Sequence, residues 1–389
     1  MRRALWLLLA PTIWLAVATL SMRLTLVAQA DSAAAHRARA AELEKQDDYE
    51  GAEKELRAAL VLEPNSISTH DNLGIVLEER DEREAAFAEY AMVADLLQKS
   101  GRLRILARHT QPVRAVAFSP GGDVVATGGD DGEVKFWDAS SGALKQTLSA
   151  HTPVKALALS NDGTFLATGC GDGTLRLWDA HTGAAKITFN GHNRPVVAVA
   201  IAPDSKTVAS GSKDGSLIVW DLASQQPRLK LPGHIFGVLA VAFSPDGKTL
   251  ASSSFDVRLW NTRSGELKRI ITRQSTMIAS IAFSHDGNWL VTASEDKTAK
   301  VWDVATGEAR HELDSTGFPL SSVAISPDSK KLATGGWESC IRLWEIESGD
   351  LLWTLPVHKA LVGSLAFSPD GKTLASASND TTATIWHLN

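Results

Sequence analysis

Seven short stretches in the C-terminal three quarters of the chain alternate between small and large apolar residues. Three of them, residues 115–118, 198–201 and 240–243, read Ala-Val-Ala-Phe, Ala-Val-Ala-Ile and Ala-Val-Ala-Phe. Because successive side chains of a β-strand point to opposite faces, each stretch predicts a strand with one small face and one bulky face. We expect the bulky face of one sheet to pack on the small face of the next, which lets wedge-shaped sheets surround an axis without voids.

Each alternating stretch belongs to a repeat unit that is most complete at residues 191–221. This unit contains a Gly-His pair, the alternating stretch, a second strand, a tight turn at Asp214-Gly215 and a third strand that closes with Trp-Asp. A period near forty with four short strands per unit predicts a β-propeller, because one small sheet must stack on a neighbour to bury both faces. The closing tryptophan recurs every 40 to 42 residues, at Trp137, Trp178, Trp220, Trp260, Trp302, Trp344 and Trp386.

The repeat resembles the WD-repeat family, and the resemblance covers seven units between residues 101 and 389. It implies a seven-bladed propeller whose loops bind peptides or other proteins. Residues 101–108 line up with residues 142–150, the predicted outermost strand of the first blade, whereas the seventh repeat has no such strand after Trp386. We therefore expect residues 101–108 to supply the outer strand of the seventh blade and to close the ring.

Residues 33–100 contain two units of 34 residues that predict a pair of helical hairpins. Small residues such as Ala52 and Ala86 let two antiparallel helices approach closely, and larger residues fill the space between them. A solvated acidic helical spacer is the alternative, because two units fall below the three that a stable stack usually needs. The pattern resembles the tetratricopeptide repeat, with Ala40, Leu43, Tyr49, Ala52, Leu56, Ala59 and Pro64 in the first unit and Gly74, Leu77, Arg83, Ala86, Tyr90, Val93 and Gln98 in the second.

Residues 4–22 contain no charge across 19 positions and are flanked by arginines. That length predicts a transmembrane helix, since about 20 apolar residues cross a bilayer. The predicted localisation is therefore membrane-anchored by this single N-terminal span, with the rest of the protein outside the cytoplasm. Ala28-Gln29-Ala30 also matches a signal-peptide cleavage site, so the alternative is a signal peptide within residues 1–30 and a secreted or periplasmic protein.

The predicted protein is mainly β, a seven-bladed propeller preceded by a small α-helical pair and an N-terminal transmembrane helix. Its charge distribution and its cysteine content exclude several classes of partner and site. Residues 33–100 carry 8 Lys/Arg and 16 Asp/Glu, whereas residues 101–389 carry 28 of each. A propeller without net charge or a basic stripe argues against nucleic acid as a partner. Cys170 and Cys340 lie in the second and sixth repeats, which argues against a disulfide or a zinc site, and we expect no cofactor.

Four repeats carry histidine, a hydroxyl residue, aspartate and tryptophan at similar spacing. These are the ingredients of a nucleophilic triad, but an enzyme needs one such site rather than four copies around a ring. In WD-repeat proteins the matching residues form a buried hydrogen-bonded chain, so the resemblance implies a structural role in which buried polar groups are paired. The four sets are His109, Thr127, Asp131, Trp137; His151, Thr168, Asp172, Trp178; His192, Ser210, Asp214, Trp220; and His358, Ser376, Asp380, Trp386.

Blades four, five and six lack one or two members of this set. In the fourth, the turn before Trp260 is two residues short, and no aspartate holds the usual place. The histidine position is Gln274 in the fifth blade and Thr316 in the sixth, where Glu338 also replaces the aspartate. We expect these three blades to be the less rigid part of the ring.

Apolar and arginine side chains on the loops are the candidate binding residues. Arg194 and Phe236 follow the histidines of the third and fourth repeats, Phe255 lies in the shortened turn, and Trp337 precedes Glu338. Exposed aromatic and arginine side chains on a rigid surface are typical anchors of a protein interface. The alternative is that each covers a neighbouring loop, because isolated apolar residues are normal on a protein surface.

Two functions from different classes remain. The first is a non-catalytic scaffold, tethered to a membrane by residues 4–22, that binds one or more partner proteins through the propeller loops and the helical repeats. The second is an enzyme or small-ligand binder that uses the central channel. The channel positions offer no carboxylate pair and no metal-ligand cluster, which favours the scaffold. These positions are Arg114, Lys155, Val197, Leu239, Ala279, Ser321 and Gly363.

Overall fold

The computed structural model of the protein describes residues 32–273, 276–314 and 317–388. It separates the chain into two compact units, with the boundary between Leu97 and Gln98. Within the described residues the first unit is helical and the second consists of β-strands.

Four helices form the first unit, and side-chain caps define where two of them begin. Ser32 Oγ accepts a hydrogen bond from the backbone amide of Ala35 at 3.1 Å, and Asp48 Oδ1 accepts one from Gly51 at 2.9 Å. These caps satisfy amides that have no partner within the helix. The helices are α1 Ala33–Glu44, α2 Tyr49–Leu62, α3 Ile67–Glu79 and α4 Arg83–Lys99.

Contacts between the helices repeat at an interval of 34 residues. His36 Nδ1 lies 2.6 Å from Glu55 Oε2, and His70 Nδ1 lies 2.6 Å from Glu89 Oε2. Each pair joins the first helix of one 34-residue unit to the second helix of the same unit. Equivalent positions therefore make equivalent contacts in both units.

A small residue permits the closest approach within the helical unit. A Cβ atom at Gly74 would collide with the ring of Tyr90, so α3 and α4 are in backbone-to-ring contact there. Such close packing excludes larger side chains at this position. The buried core consists of Ala40, Ala52, Leu56, Leu73, Val76, Leu77, Ala86 and Tyr90.

The structure corrects the predicted membrane localisation. Residues 4–22, which carry the predicted span, lie outside the described residues. Within the described part of the chain no helix is long and apolar enough to cross a membrane. The longest, α4, has 17 residues and includes charged side chains, whereas a span needs about 20 mainly apolar residues. The membrane-anchored localisation by a single N-terminal span is therefore not supported.

The second unit contains seven four-stranded antiparallel sheets, which are the blades of a propeller. In six blades the strands follow one another in sequence, and the first strand lies nearest the central axis. Blades 1 to 3 contain β2 Val113–Phe118, β3 Val124–Gly129, β4 Glu133–Asp138, β5 Leu144–Ser149; β6 Val154–Leu159, β7 Phe165–Cys170, β8 Thr174–Asp179, β9 Ala185–Asn190; and β10 Val196–Ile201, β11 Thr207–Ser212, β12 Leu217–Asp221, β13 Gln226–Leu231. Blades 4 to 6 contain β14 Ala240–Phe243, β15 Thr249–Ser253, β16 Asp256–Asn261, β17 Leu267–Arg273; β18 Ile278–Phe283, β19 Trp289–Ser294, β20 Thr298–Asp303, β21 Ala309–Asp314; and β22 Leu320–Ile325, β23 Lys331–Gly336, β24 Cys340–Glu345, β25 Leu351–Pro356.

The seventh blade joins the two ends of the propeller sequence. Its outer strand, β1 Leu103–Leu106, pairs antiparallel with β28 Ala383–His387, so that Leu103 lies opposite Trp386 and Leu106 opposite Ala383. The backbone amide of His387 also donates to the Arg102 carbonyl at 2.8 Å. Strand pairing between β1 and β28 therefore completes the seventh sheet and closes the ring. The strands are β1 Leu103–Leu106, β26 Val362–Phe367, β27 Thr373–Ser378 and β28 Ala383–His387.

Adjacent blades pack through small residues on one sheet and bulky residues on the next. A Cβ atom at Gly128 of blade 1 would collide with the Val154 side chain of blade 2. One buried cluster contains Val134 and Phe136 of blade 1 together with Leu157 of blade 2. This interdigitation is the packing that the small and large alternation predicts.

Candidate functional site

The loop that leads into each blade and the turn between its second and third strands lie at the same end of the sheet, because adjacent strands are antiparallel. We call this end the loop face. In blade 4 it consists of residues 232–239 and the turn Ser254-Phe255. The candidate binding residues and the histidines of the four-residue sets all lie in such segments.

In blade 1 the four residues form one continuous hydrogen-bonded chain. Trp137 Nε1 donates to Thr127 Oγ1 at 2.8 Å, and His109 Nε2 lies 2.8 Å from the same hydroxyl. His109 Nδ1 lies 2.9 Å from Asp131 Oδ2, which also accepts from the Thr110 amide at 3.0 Å. A neutral histidine satisfies every atom, with the hydroxyl donating to Nε2 and Nδ1–H donating to the carboxylate. The chain fastens the entry loop to the turn.

Blade 4 forms the same chain, so the expectation that it lacks an aspartate was wrong. Trp260 Nε1 donates to Ser252 Oγ at 2.9 Å, and His234 Nε2 lies 2.8 Å from that oxygen. His234 Nδ1 lies 2.6 Å from Asp256 Oδ1. Asp256 follows its histidine by 22 residues, as in blade 1. The error arose because the aspartate place was counted back from the tryptophan across a shortened turn.

In blade 3 a serine lies between the histidine and the aspartate. Trp220 Nε1 donates to Ser210 Oγ at 2.8 Å, and His192 Nε2 lies 2.7 Å from it. His192 Nδ1 is 2.6 Å from Ser216 Oγ but 3.7 Å from Asp214 Oδ1. Ser216 donates to Asp214 at 2.5 Å and thereby relays the chain.

In blade 7 the chain stops at the serine. His358 Nε2 lies 2.7 Å from Ser376 Oγ, and its Nδ1 lies 3.0 Å from Asp380. Ser376 Oγ lies 2.5 Å from Thr384 Oγ1 instead of accepting from the indole. Among the described residues Trp386 Nε1 has no hydrogen-bond partner.

The structure does not place His151 in the predicted chain of blade 2. His151 is exposed, and its Nδ1 lies 3.1 Å from Ser149 Oγ. Trp178 Nε1 still donates to Thr168 Oγ1 at 2.9 Å. In blade 1 the histidine precedes the hydroxyl residue by 18 positions, and the residue 18 positions before Thr168 is the buried Ala150. His109 precedes the first strand of blade 1 by four positions, whereas His151 precedes that of blade 2 by only three, so His151 lies one position past the place that reaches the hydroxyl.

An arginine takes over part of this fastening role, which sequence analysis missed. In blade 2 Arg176 Nη2 lies 2.6 Å from Asp172 Oδ2, and Nη1 donates to the Ala150 carbonyl. In blade 4 Arg258 contacts Asp256, the residue that directly follows the turn, at 3.0 Å and donates to the Gly233 carbonyl at 2.6 Å. Both arginines therefore join the turn to the entry loop. The sequence signal for this role is an arginine two residues before the closing tryptophan of a repeat. It occurs at Arg176, Arg258 and Arg342.

Blades 5 and 6 retain the bond from tryptophan to threonine. Their histidine places, Gln274 and Thr316, lie outside the described residues. In blade 6 Glu338 stands in the aspartate place and forms an ion pair with Arg342, and the two side chains are only 8% and 3% exposed. The retained bonds are Trp302 Nε1 to Thr292 Oγ1 at 3.0 Å and Trp344 Nε1 to Thr334 Oγ1 at 2.9 Å.

Burial determines the protonation state of three of these histidines. It lowers the pKa of His109, His192 and His234 because a charged ring loses hydration, and the nearby aspartates only partly oppose the shift. The three imidazoles are therefore neutral at pH 7. In blade 7 burial opposes ionisation of Asp380, but hydrogen bonds from His358 and Thr382 outweigh it and lower the pKa of this carboxyl.

We expect mild acid to destabilise the propeller through these histidines before its carboxylates are protonated. Below about pH 6.5 the unfolded chain takes up protons that the folded imidazoles exclude, so the free energy of unfolding falls as the pH drops. His234→Gln should therefore show a smaller fall between pH 7 and pH 5 than the wild type. The difference, measured by urea unfolding, should be at most about 1.4 kcal/mol per pH unit.

The exposed His151 provides the matched control for this prediction. His151→Gln should keep the wild-type pH dependence, because His151 is exposed and belongs to no buried hydrogen-bonded chain. An equal fall for His234→Gln and the wild type would contradict the assignment.

The candidate residues Phe236 and Phe255 lie together on the loop face of blade 4. Their ring centroids are 5.0 Å apart and the rings are inclined by 64°, an edge-to-face contact that aromatic pairs favour. Phe236 is 69% exposed, and the adjacent Ile235 is also exposed. We call Ile235, Phe236 and Phe255 the apolar patch. It lines an open cleft of about 240 Å³ together with His234, Ser254, Asp256 and Arg258.

Two short segments fix the position of the apolar patch. The turn that carries Phe255 has two residues, whereas three or four residues join the equivalent strands of the other blades. The loop that carries Phe236 is held by the adjacent His234, which contacts Asp256 at 2.6 Å. The patch is therefore supported by the buried chain beneath it.

Arg194 and Trp337 lie on the loop face outside the apolar patch. Arg194 is exposed in the entry loop of blade 3, where its carbonyl accepts from Ser212 Oγ at 2.9 Å. Trp337 is 60% exposed in the turn of blade 6, and its amide donates to the Pro319 carbonyl at 3.0 Å. Blade 5 separates Trp337 from blade 4. Of the four candidate binding residues, the structure thus brings only the two phenylalanines into contact.

A charged cluster on the channel side joins three blades, and sequence analysis missed it. Asp130 accepts from Arg114 Nε at 2.8 Å and from Lys155 Nζ at 2.6 Å. Arg114 Nη1 donates to Asn379 Oδ1 at 2.8 Å. Burial opposes ionisation of Asp130, but the two cations outweigh it and lower the pKa of this carboxyl. The cluster connects blades 7, 1 and 2 across the junction where the ring closes.

The geometry of this cluster is that of a brace between blades. Each charged group is paired with a neighbour, which leaves no acid or base directed at an open site. The sequence signal for this cluster is a polar residue directly after the second strand of a blade. It is Asp130 in blade 1 and Asn379 in blade 7. Among the described residues no group of three or more His, Cys, Asp or Glu is arranged to hold a metal ion.

Comparison with protein families locates repeats along the second unit. A family model described as WD domain, G-beta repeat matches residues 100–138, 307–345 and 349–387. A second model, described as IFT122 first beta-propeller, matches residues 153–318. Together the two models account for most of the seven blades.

Two relatives are similar to this chain over short segments. Nuclear distribution protein PAC1 of Yarrowia lipolytica is 39% identical over 56 residues, which are 14% of this chain and 12% of that protein. Periodic tryptophan protein 2 homolog of Dictyostelium discoideum is 44% identical over 43 residues, which are 11% of this chain and 5% of that protein. The matched segment is thus a small fraction of each relative's length.

Proposed function

We propose, on the premise that this chain contains WD40 repeats folded as a seven-bladed β-propeller, that it is a non-catalytic scaffold for partner proteins. WD40 propellers generally bind proteins. The observation that carries the proposal is the apolar patch on blade 4, where Phe236 remains exposed although a buried network supports it. Exposed apolar surface on a rigid support is typical of an interaction site.

The chemistry of the patch fits the centre of a protein interface. Interfaces depend on a few aromatic anchors that become fully buried, surrounded by polar groups that exclude water. Phe236 and Ile235 supply the exposed apolar area, and Phe255 holds the Phe236 ring from one side. Asp256 and Arg258 at the edge of the cleft supply the polar rim. A partner with an apolar side chain that enters this cleft is the expected ligand.

Arg194 and Trp337 extend the proposed surface around the loop face. Trp337 offers a second aromatic anchor on blade 6, and Arg194 offers an exposed guanidinium on blade 3. A partner that contacts all of them must cross several blades. Their contribution is proposed to be secondary, because neither has an aromatic neighbour that would enlarge the contact.

The charged cluster on the channel side supports a non-catalytic role. Arg114, Lys155 and Asp130 neutralise one another and are held by Asn379. Catalysis would require a group that is free to exchange a proton with a substrate. The polar chain of blade 1 is likewise saturated by internal bonds.

We also propose that residues 33–100 are a pair of tetratricopeptide-like repeats that precede a propeller of residues 101–389 and offer a second surface for proteins. The equivalent pairs His36 with Glu55 and His70 with Glu89 support a repeat of 34 residues. The close approach of Gly74 to Tyr90 supports the small-residue position of that repeat.

Changing Ile235 to Ser and Phe236 to Ala together should weaken partner binding strongly without unfolding the protein. Removing an aromatic anchor from an interface costs at least about 2 kcal/mol, so the dissociation constant should rise at least about 30-fold. Partners are first purified with the full-length chain from its own cells and identified by mass spectrometry. The dissociation constant is then measured with the purified partner by calorimetry.

Leu267→Ser is the matched control for the patch variant. Leu267 is an exposed apolar residue on the outer strand of the same blade, away from the loop face. This variant should keep the wild-type dissociation constant, and both variants should keep the wild-type melting temperature. A patch variant that binds every partner as tightly as the wild type would refute the proposed surface.

A further inference from the structure

A contact at the outer edge of the propeller recurs between most neighbouring blades. The third residue of the fourth strand donates a hydrogen bond to a carbonyl in the turn between the third and fourth strands of the next blade. This contact covers the outer end of the four junctions where it forms. The donors and acceptors are Gln146 to Thr182 at 3.1 Å, Arg228 to Thr262 at 2.6 Å, Arg269 to Thr306, and His311 to Glu347 at 2.9 Å.

The junction between blades 6 and 7 cannot form this contact. The third and fourth strands of blade 7 are β28 and β1, which pair across the ring closure and are not joined by a hairpin turn. In blade 6 the donor position is occupied by Trp353. A cavity of about 120 Å³, which we call the closure cavity, lies here and is bordered by Leu343, Leu352, Trp353, Leu355, Trp386 and Leu388.

The polar residues that line the closure cavity are all basic. They are Arg102, Lys331 and His387, and no described aspartate or glutamate lines it. The Arg102 guanidinium carbon lies 5.9 Å from the centroid of the Trp353 ring. Its Nη2 donates to the His387 carbonyl at 3.4 Å, while its Nε is buried and has no partner among the described residues. A buried cationic donor without a partner is costly unless an acceptor reaches it.

The junction between blades 5 and 6 shows the same pairing with its charges balanced. There Arg310 lies 4.8 Å from the Trp289 ring centroid, and Lys330 lies nearby. Glu345 and Glu347 line that depression and supply the negative charge that the closure cavity lacks. The closure cavity therefore differs from this depression in its charge, because its basic residues lie beside aromatic rings without an acidic residue in the described lining.

We propose that the closure cavity binds a small organic carboxylate with an apolar or aromatic body. The carboxylate accepts from the Arg102 guanidinium and lies near Lys331, and the body packs between Trp353, Leu352 and Trp386. Cavities of about 150 Å³ accept a ring the size of benzene, so the available space suits a single ring or a short chain. A ligand here would also bridge the end of blade 6 to the two strands that close the ring.

Calorimetric titration of the full chain with 3-phenylpropanoate tests the proposal. One equivalent should bind saturably. The neutral 3-phenylpropanamide should bind at least about tenfold more weakly, because it lacks the charge-assisted hydrogen bonds. Inorganic phosphate should also bind at least about tenfold more weakly, because it has no body to fill the apolar walls. Arg102→Gln and Lys331→Gln should each weaken phenylpropanoate binding, and Arg310→Gln in the balanced junction should not.

Several results would overturn the proposal. They are the absence of saturable phenylpropanoate binding at millimolar concentration, equal binding of the amide, or phosphate binding as tight as that of the carboxylate. Arg102 also donates to the His387 carbonyl of β28, so Arg102→Gln could destabilise the closure. Its effect on binding therefore counts only if its melting temperature equals that of the wild type. Lys331 lies on β23 of blade 6, where it pairs with Glu345 of β24 and belongs to neither closing strand, so an unchanged affinity of Lys331→Gln would by itself count against the site.

Discussion

Replacing Leu103 and Leu106 together by alanine should abolish the cooperative unfolding of the intact propeller. Both side chains are buried in the outer strand of blade 7, and Leu106 belongs to a core shared with blade 1. Each buried leucine-to-alanine change costs roughly 2 to 5 kcal/mol, and folded proteins have only about 5 to 15 kcal/mol in total. Urea unfolding followed by tryptophan fluorescence should show a broadened transition at much lower denaturant concentration.

The neighbouring Ile105 provides a control within the same strand. Its side chain is 45% exposed and points away from the core. Ile105→Ala should change the free energy of unfolding by no more than about 0.5 kcal/mol. If the double leucine variant unfolds like the wild type, β1 does not hold the ring closed.

Changing Glu338 to Ala should give the second large effect, a loss of about 3 to 5 kcal/mol in the free energy of unfolding. The change removes the Glu338 carboxylate that forms an ion pair with the Arg342 guanidinium, and the Arg342 side chain is only 3% exposed. Replacing the pair by apolar residues, as Glu338→Leu with Arg342→Met, should restore most of this loss, because no uncompensated charge is then buried. Thermal and urea unfolding of the full chain measure both variants.

A surface ion pair provides the comparison for the buried one. Lys248 Nζ lies 3.7 Å from Asp246 Oδ2, and both side chains are largely exposed. Lys248→Ala should cost less than about 1 kcal/mol, because water and salt screen exposed charges. A loss for Glu338→Ala as small as that for Lys248→Ala would show that the blade 6 pair is not buried in solution.

The propeller was predictable because its signals are local and repeated seven times. The alternation of small and large residues along a strand and the recurring tryptophan depend only on sequence spacing. The closing strand was predictable by elimination, since one strand was missing from the last repeat and one was spare before the first. The bond from tryptophan to the hydroxyl residue also follows from spacing, because both lie on adjacent regular strands.

The complete hydrogen-bonded chains were harder to predict because they cross loops of variable length. Counting from the tryptophan missed Asp256, and His151 lies one position closer to the first strand of its blade than His109 does, which takes it out of the chain. In both cases the number of residues between the histidine position and its partner determines whether the hydrogen bond forms. The spacing from the tryptophan does not. The motif for this hydrogen-bonded chain must therefore specify the loop lengths as well as the residue types.

The contacts between blades could not be derived from the sequence in the same way. Nothing in the spacing of Arg114 and Asn379, 265 positions apart, indicates that they form a hydrogen bond. The same limit applies to Phe236 and Phe255, whose contact depends on the shape of two loops. Residue types on the loops indicated possible anchors, and only the folded arrangement separated the touching pair from Trp337 and Arg194.

The closure of the ring by β1 and β28 also sets the order in which the protein can fold during synthesis. Arg102 and His387 are 285 residues apart, so a ribosome working at 5 to 20 residues per second releases the second partner roughly 15 to 60 s after the first. During that interval the strand that pairs with Leu103 and Leu106 has not been synthesised, so these two apolar side chains are exposed and chaperones can bind them. The first propeller strand to leave the ribosome is thus among the last to reach its final position, and slowing translation of the seventh repeat should prolong the capture of nascent chains by chaperones.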